Sequence, residues 1–199
     1  YVPSSARAAK ATVDVTLNTN DSTATMPAGT VFNTTVDDVS FQFSTIQSFT
    51  KSNTGNSIPF VGVDIFEGTF ITTRYTVDTS DIDQRFLLTD NRADTSTLIV
   101  KVQTSSTDST STTFTEATDI SQVTAGSNVF FLQEVEAGLF EVYFGDGVIG
   151  TALSDDNIVI LTYVVSNKTA ANGATLFTNA STIASVTDIS VATAATASA

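Results

Sequence analysis

The chain has 199 residues, 41% hydrophobic and 15% charged, with a net charge of −13 and neither cysteine nor histidine. That length and apolar content suit one large or two small packed domains rather than a disordered chain. The acidity argues against nucleic acid and anionic membranes as partners. The missing residues exclude disulfides, thiolate chemistry and histidine-based catalysis or metal ligation from this chain.

The filling is unusual: 36 Thr, 22 Ser and 14 Phe, with no Trp. Thr is β-branched and suits half-exposed strand faces, so the excess favours sheet over helix, with Phe supplying the core's bulk. No run of about 18 apolar residues, the length of a membrane-crossing helix, is present. The opening YVPSSARAAKA lacks the apolar centre of a secretory signal. Because it begins at Tyr1 rather than Met, the chain is read as a fragment of a larger polypeptide.

In chain order, Val13, Val15 and Leu17 alternate with Thr12, Asp14 and Thr16, a strand with one buried face. Pro27-Ala28-Gly29 is a turn launching Thr30-Val31-Phe32, and Asp37-Asp38 is the expected hairpin tip before Val39, Phe41 and Phe43. Residues 51–57 read as a polar loop, and Gly68 as a turn or bulge within the apolar stretch 60–77. Asp78, Asp81 and Asp83 mark a connector, followed by Phe86-Leu87-Leu88 and the strand 98–102. Residues 105–113 are low-complexity Ser/Thr and read as a mobile loop. Residues 119–123 suit one helical turn. The strands at 128–135 and 139–144 flank Glu136-Ala137-Gly138 as a hairpin. Residues 158–165 are apolar on both faces and predict a central buried strand.

No segment keeps a 3.6-residue period over three turns, so the predicted fold is mainly β with few or no long helices. Two sandwich- or barrel-like subdomains are expected, the second inserted in the first. Residues 175–177 and 183–191 carry too little apolar surface to stand alone, so they should return to the first 75 residues. The outer domain is then 1–77 with 167–199, and the inserted one 78–166.

The sharpest motif is Phe144-Gly145-Asp146-Gly147, with Ile149-Gly150-Thr151 behind it. Gly tolerates positive φ and Asp bonds nearby backbone amides, so this reads as a structural hairpin turn fixing register. Asn172-Gly173 is a second turn. The acidic pairs Asp37-Asp38 and Asp155-Asp156 lie between strands and read as turn residues. The Asp78, Asp81, Asp83 cluster lacks the alternating ligands and central Gly of an EF-hand. Glu134 and Glu136 could in principle form a glycosidase pair, but sit at a hairpin end without an aromatic sugar platform. No catalytic, metal or cofactor residue is assigned.

The stretch from Phe130 to Phe177, with its Phe-Gly-Asp-Gly turn, Ile-Gly-Thr step, doubly apolar strand and Ala171-Asn172-Gly173 exit, resembles the baseplate J-like family. Its nearest likeness is to the wedge subunits of T-even-type contractile-tailed phages. Asp83-Gln84-Arg85-Phe86, residues 94–102, Val63 to Thr69 and Pro27-Ala28-Gly29-Thr30 are similar to segments of the same family. The resemblance implies a non-enzymatic virion structural protein of the tail baseplate, assembled in the host cytoplasm. Its implied partners are other wedge proteins and copies of itself in a ring around the tail hub, with no nucleic acid, membrane or small-molecule substrate. Asn172-Gly173 would mark the exit from the family's core domain. The alternative, suggested by the Thr-rich acidic composition, is a secreted or surface β-sandwich adhesin module.

Overall fold

The computed structural model describes residues 5–199, apart from the side chains of Lys168 and Thr169. The fold is mainly β: fifteen strands and three single 3-10 turns, with no α-helix among the described residues. The strands are β1 (Lys10–Asn18), β2 (Thr23–Met26), β3 (Val31–Val36), β4 (Val39–Ser44), β5 (Phe49–Ser52), β6 (Ser57–Glu67), β7 (Thr69–Thr76) and β8 (Phe86–Leu88). The second half holds β9 (Ala93–Gln103), β10 (Ser111–Glu116), β11 (Val129–Glu134), β12 (Phe140–Phe144), β13 (Ile158–Val165), β14 (Thr178–Asn179) and β15 (Ile189–Ser198).

Two compact units divide the chain, one containing Ile71–Tyr163 and the other Ala6–Phe70 with Val164–Ala199. Both crossings fall inside strands, β7 and β13. The expected boundaries, 77/78 and 166/167, lie instead at changes of composition. A strand that passes from one core to the next keeps its strand pattern throughout, so composition carries no mark of the crossing.

The unit that holds the first and last strands is a six-stranded sheet, β14-β3-β4-β6-β1-β15, plus the two-stranded β2-β5. Along β1, Val13, Val15 and Leu17 are fully buried while their neighbours are half-exposed, the alternation that a one-sided strand requires. β15 lies antiparallel on β1 and β14 antiparallel on β3. The open ends approach each other where Gly173 N–H donates to Ala197 O (2.8 Å) and Ala197 N–H to Ala174 O (3.0 Å), so the sheet nearly closes into a barrel. Closure hides edge groups that would otherwise stay unpaired.

Phe32, Phe43, Ile58, Phe60 and Ile65 fill this core, and the Phe43 ring meets Phe177 edge-on at 5.0 Å. Each such side chain contributes about 1.5–3 kcal/mol by burial. Thr34 breaks the pattern: it is buried, and its hydroxyl has no hydrogen-bond partner among the described residues. Thr34→Val keeps the shape and removes the orphaned donor. It should raise stability by about 1 kcal/mol, read as a higher urea midpoint.

The other unit is a seven-stranded sheet, β7-β13-β9-β10-β11-β12-β8. β13 lies between β7 and β9, as its two apolar faces predict. The Tyr75 hydroxyl donates to Leu87 O (2.7 Å), joining the two ends of this sheet, and burial pushes that hydroxyl above its ordinary pKa. A chain of edge-on rings, Tyr75–Phe86–Phe144–Phe114, continues inward at 5.4 to 5.7 Å. β11 and β12 form the hairpin expected around Glu136–Gly138, with Phe130 opposite Phe144 and Glu134 opposite Phe140.

One feature differs from the sequence expectation, and a second lies outside it. β10 begins at Ser111, inside the stretch read as loop, and the remaining turn is organised by Thr104 N–H to Thr110 O (2.9 Å) and Thr110 N–H to Asp108 Oδ1 (2.9 Å). Ser and Thr serve strand and loop alike, so their abundance here hid the strand. β10 and β11 are also parallel, with Thr115 opposite Val129. Parallel neighbours need a long crossover, and residues 117–128 supply it.

Candidate functional site: the Gly-Asp-Gly loop

Phe144 ends β12, and the chain then makes a turn closed by Gly147 N–H to Gly150 O (3.0 Å). Oδ1 of Asp146 accepts from Val148 N–H and Ile149 N–H, both at 2.9 Å. Those two donors hold the Asp146 carboxyl below its usual range. Gly145 passes so close to the far side of the loop that a Cβ there would lie 2.3 Å from the Gly150 carbonyl carbon and 2.4 Å from two carbonyl oxygens. The turn expected at Gly145, Asp146, Gly147 and Gly150 is therefore present, but it is not a hairpin between the strands it joins. β12 pairs with β11 and β8, while β13 lies between β7 and β9. The loop sets a crossover, not a register.

A second loop holds it in place. Gly150 N–H donates to Thr124 O (3.0 Å) and Thr151 N–H to Ser127 O (2.9 Å), both in the β10–β11 crossover. That crossover contains the 3-10 turn Ile120–Gln122, where Asp119 accepts from Ser121 N–H (2.9 Å). The two loops expose Ile120 (61%), Val148 (73%) and Ile149 (42%).

Gly145→Ala should cost about 2–3 kcal/mol, because the obstacle is backbone rather than a movable side chain. Urea unfolding measures the loss, and displaced Val148 and Ile149 amide resonances locate it. The lowered Asp146 pKa also sets a sign. Its contribution is complete above the ordinary aspartate value of about 3.9 and is lost as the pH falls through the lower folded value. The amide shifts of Val148 and Ile149 should therefore titrate with a midpoint below about 3.9.

The other acidic candidates are turn formers. Asp37 and Asp38 both have positive φ (48° and 64°) at the two-residue tip between β3 and β4, the conformation of a primed hairpin turn. Asp78 accepts from Ser80 N–H (2.9 Å) and Oγ (2.6 Å), and Asp81 from Asp83 N–H (3.0 Å). The fold brings Asp155 to this loop, where it accepts from Thr79 N–H (3.0 Å), a meeting that sequence separation concealed. Asp156 sits beside it at positive φ. Among the described residues, no group of three or more acidic side chains is arranged to hold a metal ion. Glu134 and Glu136 lie at the end of β11 and in the 3-10 turn that follows. Gly173 lies within the second segment of its unit and bonds Ala197, so Asn172-Gly173 belongs to sheet closure rather than to an exit from a core.

Three carboxylates among the described residues are buried, Glu67, Asp94 and Glu141, and the sequence marked none of them for burial. Glu67 lies within the Val63 to Thr69 segment of the resemblance, yet its side chain is buried and accepts from Ser166 Oγ (3.0 Å), Asn167 N–H (2.9 Å) and Asn167 Nδ2 (2.9 Å). Glu141, also buried, takes two bonds from the Arg85 guanidinium at 2.8 and 2.6 Å. For Glu141 the available signal was a lone acidic residue in the apolar strand β12; β6 also carries Asp64, so Glu67 had no such mark.

No family model matches the chain, and no curated protein matches it.

Proposed function

We propose that this chain is a structural part of a contractile phage tail, a piece of a baseplate wedge subunit that joins other wedge proteins and copies of itself around the tail hub. The observation that carries the reading is the Gly-Asp-Gly loop: the most distinctive segment of the resemblance is a self-bonded turn that displays apolar side chains to solvent. The use of carboxylates also supports a scaffold rather than an enzyme. Asp78, Asp108, Asp119 and Asp146 bond the backbone of their own turns instead of converging on a cleft. The open groove of about 510 Å³ along residues 177–191 is lined by Phe177, Ile189, Val191 and neutral polar residues, with no ionisable group. Thr-rich half-exposed strands suit broad contacts made through hydrogen bonds and water.

Electron microscopy of the chain co-expressed with the products of its neighbouring genes tests the proposal. Wedge- or ring-shaped particles containing the chain are expected. An unassembled chain that binds defined glycans on an array would replace the baseplate reading with the adhesin one.

A further inference from the structure

We propose that the loop pair displaying Ile120, Val148 and Ile149 is a docking knob for a basic protein surface with an apolar recess. The inference rests on the assembly reading only for the existence of a protein partner; the loops' own chemistry selects its character. Val148 and Ile149 are exposed on a turn whose shape is set by Asp146 and by glycine backbone, Val148 burying little within the fold and Ile149 about half of itself. The adjoining loop is tied at Gly150–Thr124 and Thr151–Ser127 and adds Ile120. Such a surface is already ordered, so covering it incurs little of the entropy loss that weakens docking by floppy segments. Exposed aliphatic groups on rigid loops suit the desolvated centre of an interface.

Charge identifies the partner. Between Lys101 and Lys168 the chain holds nine carboxylates and no Lys or Arg. The charged residues of the two loops, 117–128 and 145–152, are Asp119 and Asp146 alone. The same loop pair on a second copy, with the same two aspartates and no basic residue, would be repelled from it, as would nucleic acid or an anionic lipid surface. A recess rimmed with Lys and Arg is attracted and oriented by this field.

The probe is a synthetic peptide of alternating Lys and Leu, titrated into the full chain while the methyl resonances of Ile120, Val148 and Ile149 are followed. Alternating Lys-Ser and Glu-Leu peptides separate charge from apolar contact. The Lys-Leu peptide should perturb these methyls first, and the Val148→Ser/Ile149→Ser variant should bind it about tenfold more weakly. Both substitutions are at exposed positions, and an unchanged Tm shows that the variant is folded. Equal binding by the double variant, or equal binding of the Lys-Ser peptide, overturns the proposal. So does low-salt self-association abolished by the double variant, which would assign the surface to a second copy. Peptide docking without assembled particles would retire the baseplate reading alone, while particles unaffected by the double variant and no docking would retire only this one.

Discussion

Replacing Gly68 with Ala should destabilise the unit built on β1 and β6 by about 4 kcal/mol, the largest loss expected from any single methyl group in this chain. Gly68 stands between β6 and β7 at φ +124°, and a Cβ there would lie 2.2 Å from the Val165 carbonyl oxygen and 2.9 Å from Val164 Cγ1. The obstruction is a strand backbone, which cannot rotate aside. Gly68 N–H also donates to Gln42 O (2.8 Å), so a shift that relieves one contact breaks another. Gly62 is the internal control. It has φ +69° and nothing within 4 Å of the place an added methyl would occupy, so Gly62→Ala should cost only about 1 kcal/mol for its backbone conformation. Urea unfolding followed through the methyl resonances of Val13 and Leu17 gives both values. Equal losses for the two variants would mean that close approach at Val165 is not what requires glycine at position 68.

Glu67→Gln is expected to cost about 2 kcal/mol and Glu67→Ala about 3 kcal/mol, although neither changes the apolar core. The groups that bond this carboxylate are donors: Ser166 Oγ and Asn167 N–H face Oε2, and Asn167 Nδ2 faces Oε1. A glutamine can offer one acceptor oxygen but must turn an NH2 toward the other donors. An alanine leaves them all without their carboxylate, the Ser166 hydroxyl in a buried place. The readout that isolates this effect is hydrogen exchange at the Asn167 amide, which should lose protection in both variants. Unchanged exchange there, with unchanged stability, would contradict the proposed bonding.

Much of the local structure was legible from residue pattern. Period-two alternation located β1 through Val13, Val15 and Leu17, because one face meets the core and the other meets water. Asp37-Asp38 located a hairpin tip, since Asp accepts the positive φ that a two-residue turn demands. The run 158–165, apolar on both faces apart from Thr162, indicated a central strand, and β13 lies between β7 and β9. Less was legible wherever strand and loop share a composition, as in the Ser/Thr stretch that contains the start of β10. The Gly-Asp-Gly segment was legible as a turn but not as a crossover, because turn chemistry reports the local bend and says nothing of which strands become neighbours. Ile120 is far in sequence from Val148 and Ile149, and only the backbone bonds from Gly150 to Thr124 and from Thr151 to Ser127 join their two loops.

The sequence by itself determined that this chain is a cysteine-free, histidine-free, strongly acidic β protein with Asp- and Gly-based turns. Those properties follow from side-chain chemistry and from φ/ψ preferences acting over a few residues. Tertiary structure alone decided that β15 closes on β1, that β10 and β11 run parallel, and that Glu67 meets Asn167 a hundred residues away. Such pairings depend on which apolar faces and backbone edges satisfy one another at long range, a competition that no local stretch of sequence resolves.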